Sequence, residues 1–190
     1  MTGRGRAFCA GVDLDHLAAI HAGTEGSHHT IDFNQALRTA DTPVIAAVNG
    51  LAVGVGTTMC LHVDLVIAGE SARFRTPFAS LGVAPEIGSS WLLPQQIGHQ
   101  RAAWMLLSAE WIDASSASVW GLVFEVVPDS WLLERAVALG ASIAANDRAA
   151  IAAAKRVVRR WREPMIEAAE SMEGAEFRAL LATRDGQVRR

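Results

Sequence analysis

Residues 43–56 read PVIAAVNGLAVGVG and carry the clearest fold signal in the chain. The run at 43–48 is almost wholly apolar, which predicts a short strand buried on both faces, as in a parallel sheet. Asn49-Gly50 ends this strand, a glycine-punctuated loop follows, and a helix is predicted from Gly56 to Leu61. A second buried strand is predicted at Asp64–Ala68. Strand, glycine turn, helix and strand form a βαβ-type unit, so the sequence predicts an α/β fold.

Helical patterns flank this unit on both sides. Ahead of it, helices are predicted at Asp13–His21 and Ile31–Ala40, with a polar loop at Gly23–His29 between them. The elements predicted beyond Ser89 are helices at Arg101–Leu107 and Ser115–Trp120, a strand at Leu122–Val127, a helix at Ser130–Ala144 with Ser130 as N-cap, a helix at Asp147–Trp161 capped by Asp147, and a last helix from Pro164 to about Thr183. The chain is therefore divided into an α/β core, residues 1–128, and a helical region, residues 129–190.

Composition excludes several classes of protein. With 51% hydrophobic and 19% charged residues, the 190-residue chain can bury a core and does not have the composition of a disordered protein. Its formal net charge of −3 offers no basic footprint for nucleic acid. No apolar run approaches the ~20 residues that span a bilayer, and no signal-peptide pattern is present. We therefore expect a cytoplasmic protein that binds neither membranes nor nucleic acid.

Three minor features are assigned structural roles. The basic run from Lys155 to Arg162 is interpreted as a solvated helix face, with a phosphate contact as the alternative. Cys9 and Cys60 are predicted to be small core residues, not a disulfide or zinc ligands. The histidines lack metal-ligand spacing, so no metal site is expected.

The segment Gly54-Val55-Gly56 lies between a predicted strand and a predicted helix. Dinucleotide binding is rejected, because Met59 stands where the third glycine of G-x-G-x-x-G belongs. Two interpretations remain open. The backbone N–H groups could form part of an oxyanion hole, or the glycines could serve a tight turn that lets helix and sheet pack closely.

Two further segments carry candidate chemistry. The run RAFCAGVDL, residues 6–14, ends in another strand-to-helix turn, with Asp13 as a possible cap and N–H groups as possible donors. Glu86 lies in the apolar stretch LGVAPEIGSS, where burial would raise the pKa of its carboxyl and suit it to proton transfer. On spacing alone, an acid that merely stabilises a helix N-terminus is the favoured interpretation of Glu86.

Four segments taken together resemble the enoyl-CoA hydratase/isomerase (crotonase) superfamily. They are RAFCAGVDL, PVIAAVNGLAVGVG, DLVIAGESARF and LGVAPEIGSSWLLPQQIG. The resemblance implies a crotonase-like (ClpP/crotonase) ββα-superhelix core over residues 1–128. It also implies that residues 129–190 form a helical region that covers the active site and builds a homotrimer or a dimer of trimers. In the family the RAFCAG segment lies further into the chain, so the resemblance implies a chain truncated at its N-terminus.

The resemblance also implies the binding residues. An acyl-CoA thioester carbonyl would lie between the backbone N–H groups of Val12 and Val55. The implied substrate-binding residues are Ala10, Val12, Asp13, Leu14, Asp15 and Val55. No separate cofactor is implied, because coenzyme A is carried as part of the substrate.

The acid/base residues indicate the reaction. The two glutamates of the hydratases are replaced here by Thr58 and Phe78, whereas Glu86 matches the base of the Δ3,Δ2-enoyl-CoA isomerases. The resemblance thus implies a 1,3-proton shift that moves a 3-enoyl-CoA double bond to the 2-trans position. Hydration or another crotonase-type acyl-CoA reaction is one alternative. A truncated, inactive relative with a binding or assembly role is another.

Overall fold

Two small sheets form the centre of the protein, whose computed structural model describes residues 1–13, 15, 19 and 28–188. One sheet has the strand order β1-β3-β5-β6, and the other has the order β2-β4-β7. All neighbouring strands pair in parallel except β5 and β6, which are antiparallel. The strands are β1 Ala7–Cys9, β2 Ile45–Val48, β3 Leu51–Val53, β4 Leu65–Gly69, β5 Arg73–Arg75, β6 Ile112–Asp113 and β7 Glu125–Val127.

Helices pack around both sheets. They are α1 His28–Thr39, α2 Val55–Thr58, α3 Phe78–Leu81, α4 Ser89–Ile97, α5 His99–Ser108, α6 Ala114–Trp120, α7 Leu132–Ala144 and α8 Arg148–Val188, with 3₁₀ turns at Met59–His62 and Asp129–Trp131. The main core lies between strands and helices and includes the fully buried side chains of Leu61, Phe74, Leu92, Leu93 and Met105. Among the described residues, no helix combines the length and the apolar character needed to cross a membrane.

The βαβ-type unit forms as the sequence predicts. Three of the four β2 residues are buried, and β2 pairs in parallel with β4 over its full length. The segment between β2 and β4 also contains β3, a strand that the sequence did not predict. Strand β3 has only three residues, and its Leu51 is exposed. Asn49 also bonds to the N-terminal segment of the chain. Its side chain accepts from the N–H of Gly3 at 2.8 Å and donates to the carbonyl of Gly5 at 3.0 Å.

The helical predictions are confirmed at α1, α5 and α6, and Asp147 caps α8 by accepting from the N–H of Ala150 at 2.8 Å. The predicted strand at 122–127 is shorter, since it forms only at Glu125–Val127. The N-cap prediction at Ser130 is wrong. A 3₁₀ turn precedes α7, which begins at Leu132 without a side-chain cap. The predicted helix at 13–21 and the loop at 23–29 lie largely outside the described residues.

The C-terminal helix α8 is continuous, whereas the sequence predicted two helices divided before Pro164. Proline removes one backbone donor and disfavours a helix interior. Packing offsets this cost, because Ile166, Ala169 and Glu173 follow helical spacing and are all buried against the rest of the protein. The division of the chain after residue 128 remains a prediction.

The basic run on α8 is not simply a solvated face. The ammonium of Lys155 donates to the carbonyl of Thr42 at 2.8 Å and to the carboxylate of Asp64 at 2.7 Å. Arg162 donates to the carbonyl of Leu61 at 3.0 Å. The interpretation as a solvated face is therefore wrong for Lys155 and Arg162, which fasten α8 to the sheet region.

Candidate active site

Strands β1 and β3 bring two candidate loops to one edge of their sheet. They pair in parallel with Cys9 opposite Ala52, so both strands run toward the same edge. Val12 lies three residues after Cys9, and Val55 lies three residues after Ala52. The two segments that the sequence singled out as N–H donors are therefore neighbours.

Two glycines shape the second loop. Gly54 has φ 55°, in the region that favours glycine, and it lies immediately before Val55 at the start of α2. A Cβ on Gly56 would collide with the carbonyl oxygen of Cys9. The interpretation of this segment as a tight turn for close packing is thus confirmed, and such packing is compatible with an N–H group that binds a ligand.

An apolar cluster joins the three candidate segments. Val12, Val55 and Ile87 all belong to it, and its other members are Phe8, Cys9, Leu37 and Met59. In the part of the chain that the structure describes, the N–H groups of Val12 and Val55 donate no hydrogen bond. Both N–H groups are therefore available to an acceptor atom of a ligand. Such a ligand would lie close to Ile87, the residue that follows Glu86.

The predicted substrate-binding segment follows β1 directly. Ala10, Asp13 and Asp15 are exposed and Val12 is half-buried, so this segment is open to a ligand. Asp13 also acts locally, since its carboxylate accepts from the N–H of Asp15 at 2.8 Å. Leu14 lies outside the described residues. The assignment of this segment to substrate binding remains a prediction.

Glu86 is half-buried in the loop between α3 and α4. Burial raises the pKa of its carboxyl to about 7, and the nearby charge of Glu173 adds to this effect. Among the described residues its carboxyl has no hydrogen-bond partner. A carboxyl with this pKa exists in both charge states near neutral pH, so it can accept a proton and return it.

Glu173, not Glu86, stabilises the neighbouring helix N-terminus. Its carboxylate accepts from the N–H of Gly88 and from the N–H of Ser90, each at 2.8 Å. The favoured interpretation of Glu86 as a helix-stabilising acid is therefore wrong, because another residue occupies that role. Sequence analysis missed Glu173, although an acid in register with Ile166 and Ala169 on the buried face of α8 was a visible signal.

The positions of the hydratase glutamates hold no acid. Thr58 is fully buried, and its hydroxyl donates to the carbonyl of Gly54 at 3.3 Å. Phe78 is the first residue of α3 and is 5% exposed. Neither side chain can exchange a proton with a ligand.

Cys60 is a core residue, as the sequence predicted. Its thiol is buried, which raises its pKa to about 12, with Cys9 as a second cause. The thiol donates to the carbonyl of Gly56 at 3.4 Å. It therefore stays protonated and does not act as a nucleophile.

Comparison with known proteins gives consistent matches. A family model described as enoyl-CoA hydratase/isomerase matches residues 1–187. The chain is 41% identical over 158 residues to a probable enoyl-CoA hydratase of Rhodobacter capsulatus. It is 38% identical over 150 residues to a 1,2-epoxyphenylacetyl-CoA isomerase of Escherichia coli. These matches cover 82% and 76% of the chain, which spans 62% and 57% of the length of the two relatives.

A solved structure supports the same relationship. The crystal structure of an enoyl-CoA hydratase/isomerase from Pseudoalteromonas atlantica superimposes with a TM-score of 0.87 at 36% identity. The match covers 95% of this chain and 71% of that one. The predicted α/β architecture with a C-terminal helical region is thereby confirmed as a crotonase-like fold.

Proposed function

Because the chain belongs to the enoyl-CoA hydratase/isomerase family, we propose that it is an enoyl-CoA isomerase that moves a 3-enoyl-CoA double bond to the 2-trans position. The single observation that carries the proposal is Glu86. It is a half-buried carboxyl with a pKa of about 7, and it directly precedes Ile87 of the apolar cluster that contains Val12 and Val55.

The proposed chemistry needs one base and two N–H donors. The thioester carbonyl of the substrate binds the N–H groups of Val12 and Val55. The ionised carboxylate of Glu86 takes a proton from C2, and the electron pair of that C–H bond delocalises over the dienolate. Negative charge develops on the thioester oxygen, where each N–H donor contributes about 10²–10³ in rate.

The same carboxyl completes the reaction. Protonated Glu86 delivers its proton to C4, so the double bond comes to rest between C2 and C3. The product has the same mass as the substrate, and Glu86 returns to its ionised form. A pKa of about 7 suits both steps, because the group is neither too weak a base nor too weak an acid at neutral pH.

Hydration is the second candidate, because the relative from Rhodobacter capsulatus is named a probable enoyl-CoA hydratase. In hydratases that the chain resembles, two glutamates act on the attacking water and on the substrate. Thr58 and Phe78 stand at those positions, and neither moves a proton. This difference supports isomerisation over hydration for this chain.

Product analysis separates the two candidates. The purified protein would be given a 3-enoyl-CoA, and conjugation of the double bond with the thioester would be followed by ultraviolet absorbance. Isomerisation raises the absorbance and leaves the mass unchanged. A product heavier by one water, formed from a 2-enoyl-CoA with no conversion of the 3-enoyl-CoA, would contradict the proposal.

We also propose that the chain assembles into a homotrimer or a dimer of trimers. Large apolar side chains are exposed on its helices, including Trp161 at 82%, Leu107 at 76% and Val119 at 74%. Burial of such side chains against another copy of the chain would remove apolar surface from water. Light scattering coupled to gel filtration would test this, and a monomer at micromolar concentration would contradict it.

A further inference from the structure

We propose that Glu173 and His62 are positioning residues that clamp the loop carrying Glu86 from two sides. The proposal rests on the role of Glu86 as base in the proposed function. It is carried by three hydrogen bonds, all made to backbone groups within four residues of Glu86.

Glu173 holds the loop from α8. One carboxylate oxygen accepts from the N–H of Gly88 and the other accepts from the N–H of Ser90, each at 2.8 Å. Glu173 is only 6% exposed, so these charge-assisted bonds form away from water, where they are strongest. Gly88 is the N-cap of α4 and has no side chain of its own, so the cap comes from a residue 85 positions away in sequence.

His62 holds the loop from the opposite side. Its Nε2–H donates to the carbonyl of Ile87 at 2.7 Å from the 3₁₀ turn that follows α2. The ring is neutral, because burial lowers its pKa to about 4. The hydrogen bond to Ile87 raises the pKa, and the charges of Arg38 and Arg162 lower it. A neutral ring that uses Nε2–H as donor leaves Nδ1 as an acceptor, and Nδ1 has no partner among the described residues.

The loop needs such restraint. Ile87 has φ 49°, a left-handed conformation that is strained for a β-branched residue. Strain of this kind persists only where the surroundings over-determine the backbone. The clamp holds the carbonyl and the N–H of the peptide group that joins Ile87 to Gly88, directly after Glu86. It thereby fixes the direction from which Glu86 approaches C2 and C4 of a substrate. A misplacement of about 1 Å at such a centre costs on the order of 10²-fold in rate.

Glu173 differs from a purely structural cap in one respect. Its negative charge is close enough to Glu86 to disfavour the ionised form of that carboxyl. The titratable and charged groups that the structure describes around this loop are Glu173 from α8 and His62 from the 3₁₀ turn, with Arg38 and Arg162 beside His62. Replacing Glu173 by Gln removes the charge and retains one oxygen acceptor. Loss of the charge should lower the pKa of Glu86, and loss of the positioning should lower kcat with little change in KM.

The first test uses Glu173→Gln, with Glu176→Gln as matched control, since Glu176 lies on the same helix and is exposed. We expect the Glu173 variant to lose about tenfold in kcat with KM within about twofold. We expect the acid limb of its kcat/KM profile to move to lower pH, while the control matches wild type. An unchanged pH profile in Glu173→Gln would overturn the proposal.

Two further variants keep the test independent of how well that substitution folds. Glu173→Asp keeps the charge but shortens the arm, so kcat should fall while the acid limb stays near that of wild type. His62→Leu removes the donor to Ile87 and should lower kcat about 10- to 100-fold with little change in KM. Wild-type kcat in both variants would overturn the clamp.

A measurement without substrate separates the clamp from the proposed function. The carboxyl of Glu86 can be titrated by ¹³C NMR, with its signal assigned by its absence in Glu86→Gln. Glu173→Gln should lower the midpoint and speed hydrogen exchange at the amides of Gly88 and Ser90. If wild type fails to isomerise 3-enoyl-CoA but these shifts occur, the clamp stands and the isomerase proposal fails. If wild type isomerises and neither shift occurs, the clamp fails alone.

Discussion

Each carboxylate oxygen of Glu173 accepts a hydrogen bond from a backbone N–H group, whereas the nearby carboxyl of Glu86 has no hydrogen-bond partner among the described residues. Burial, and after it the nearby charge of Glu173, raises the pKa of Glu86 to about 7. Two carboxyls in one region thus have different surroundings, as an acid/base residue and its support require.

The first prediction concerns pH. Glu86 must be ionised to take a proton from C2, so kcat/KM should rise with pH through a midpoint near 7. The profile is measured with a 3-enoyl-CoA between pH 5 and 9, within the range where the protein stays folded. A midpoint near the ordinary glutamate value of about 4.3 would contradict the assignment.

The second prediction concerns stability at Glu86. Its pKa is raised to about 7 in the folded protein, so the unfolded chain releases that proton more readily, and the free energy of unfolding falls as pH rises from about 4.5 to 7. Glu86→Gln has no such charge, so it should be more stable than wild type at pH 8 by about 1–3 kcal/mol. The two proteins should converge near pH 4. Urea unfolding at both pH values tests this prediction. Equal stability of the two proteins at pH 8 would contradict the raised pKa of Glu86.

The third prediction concerns the turn at Gly54. Its φ of 55° disfavours any other residue, so Gly54→Ala should shift the N–H of Val55 and lower kcat by about 10²–10³. Gly98→Ala is the matched control, since Gly98 has φ 83° and open space around a Cβ. Both variants carry backbone strain, but only the first should lose activity. A similar loss of activity in both variants would show that strain alone is responsible.

The fourth prediction concerns the contact between α8 and the loop. Ile166 is 3% exposed, and a Cβ placed on Gly88 would lie 3.0 Å from its side chain. Ile166→Ala should therefore lower the free energy of unfolding by about 2–4 kcal/mol. Met165→Ala is the control, since its side chain is 47% exposed and should change stability little. An equal loss of stability in the two variants would contradict the burial of Ile166 on α8.

Local patterns in the sequence were sufficient for the regular core. The apolar run at 43–48 predicts β2 because a strand buried on both faces has no polar alternation. Strand β3 was missed because three residues with an exposed Leu51 carry too little pattern. The continuity of α8 was missed because Pro164 is a strong local signal, and tertiary packing overrides it.

Only some residues of the candidate site could be identified from the sequence. Val12, Val55 and Glu86 could be named because each lies in a short motif, and the fold does bring their segments together. Glu173 and His62 could not be assigned a role. Their partners lie 85 and 25 residues away, and a hydrogen bond over such a distance depends on how the helices pack.

Turnover of a 3-enoyl-CoA by Glu86→Gln and by wild type under the same conditions tests the role of Glu86 as the base. Gln has nearly the volume of Glu but cannot take a proton, so we expect isomerisation by wild type and a loss of at least about 10²-fold in the variant. Binding of the CoA ester, measured by calorimetry, should be retained. Isomerisation by Glu86→Gln at the wild-type rate would show that Glu86 is not the base.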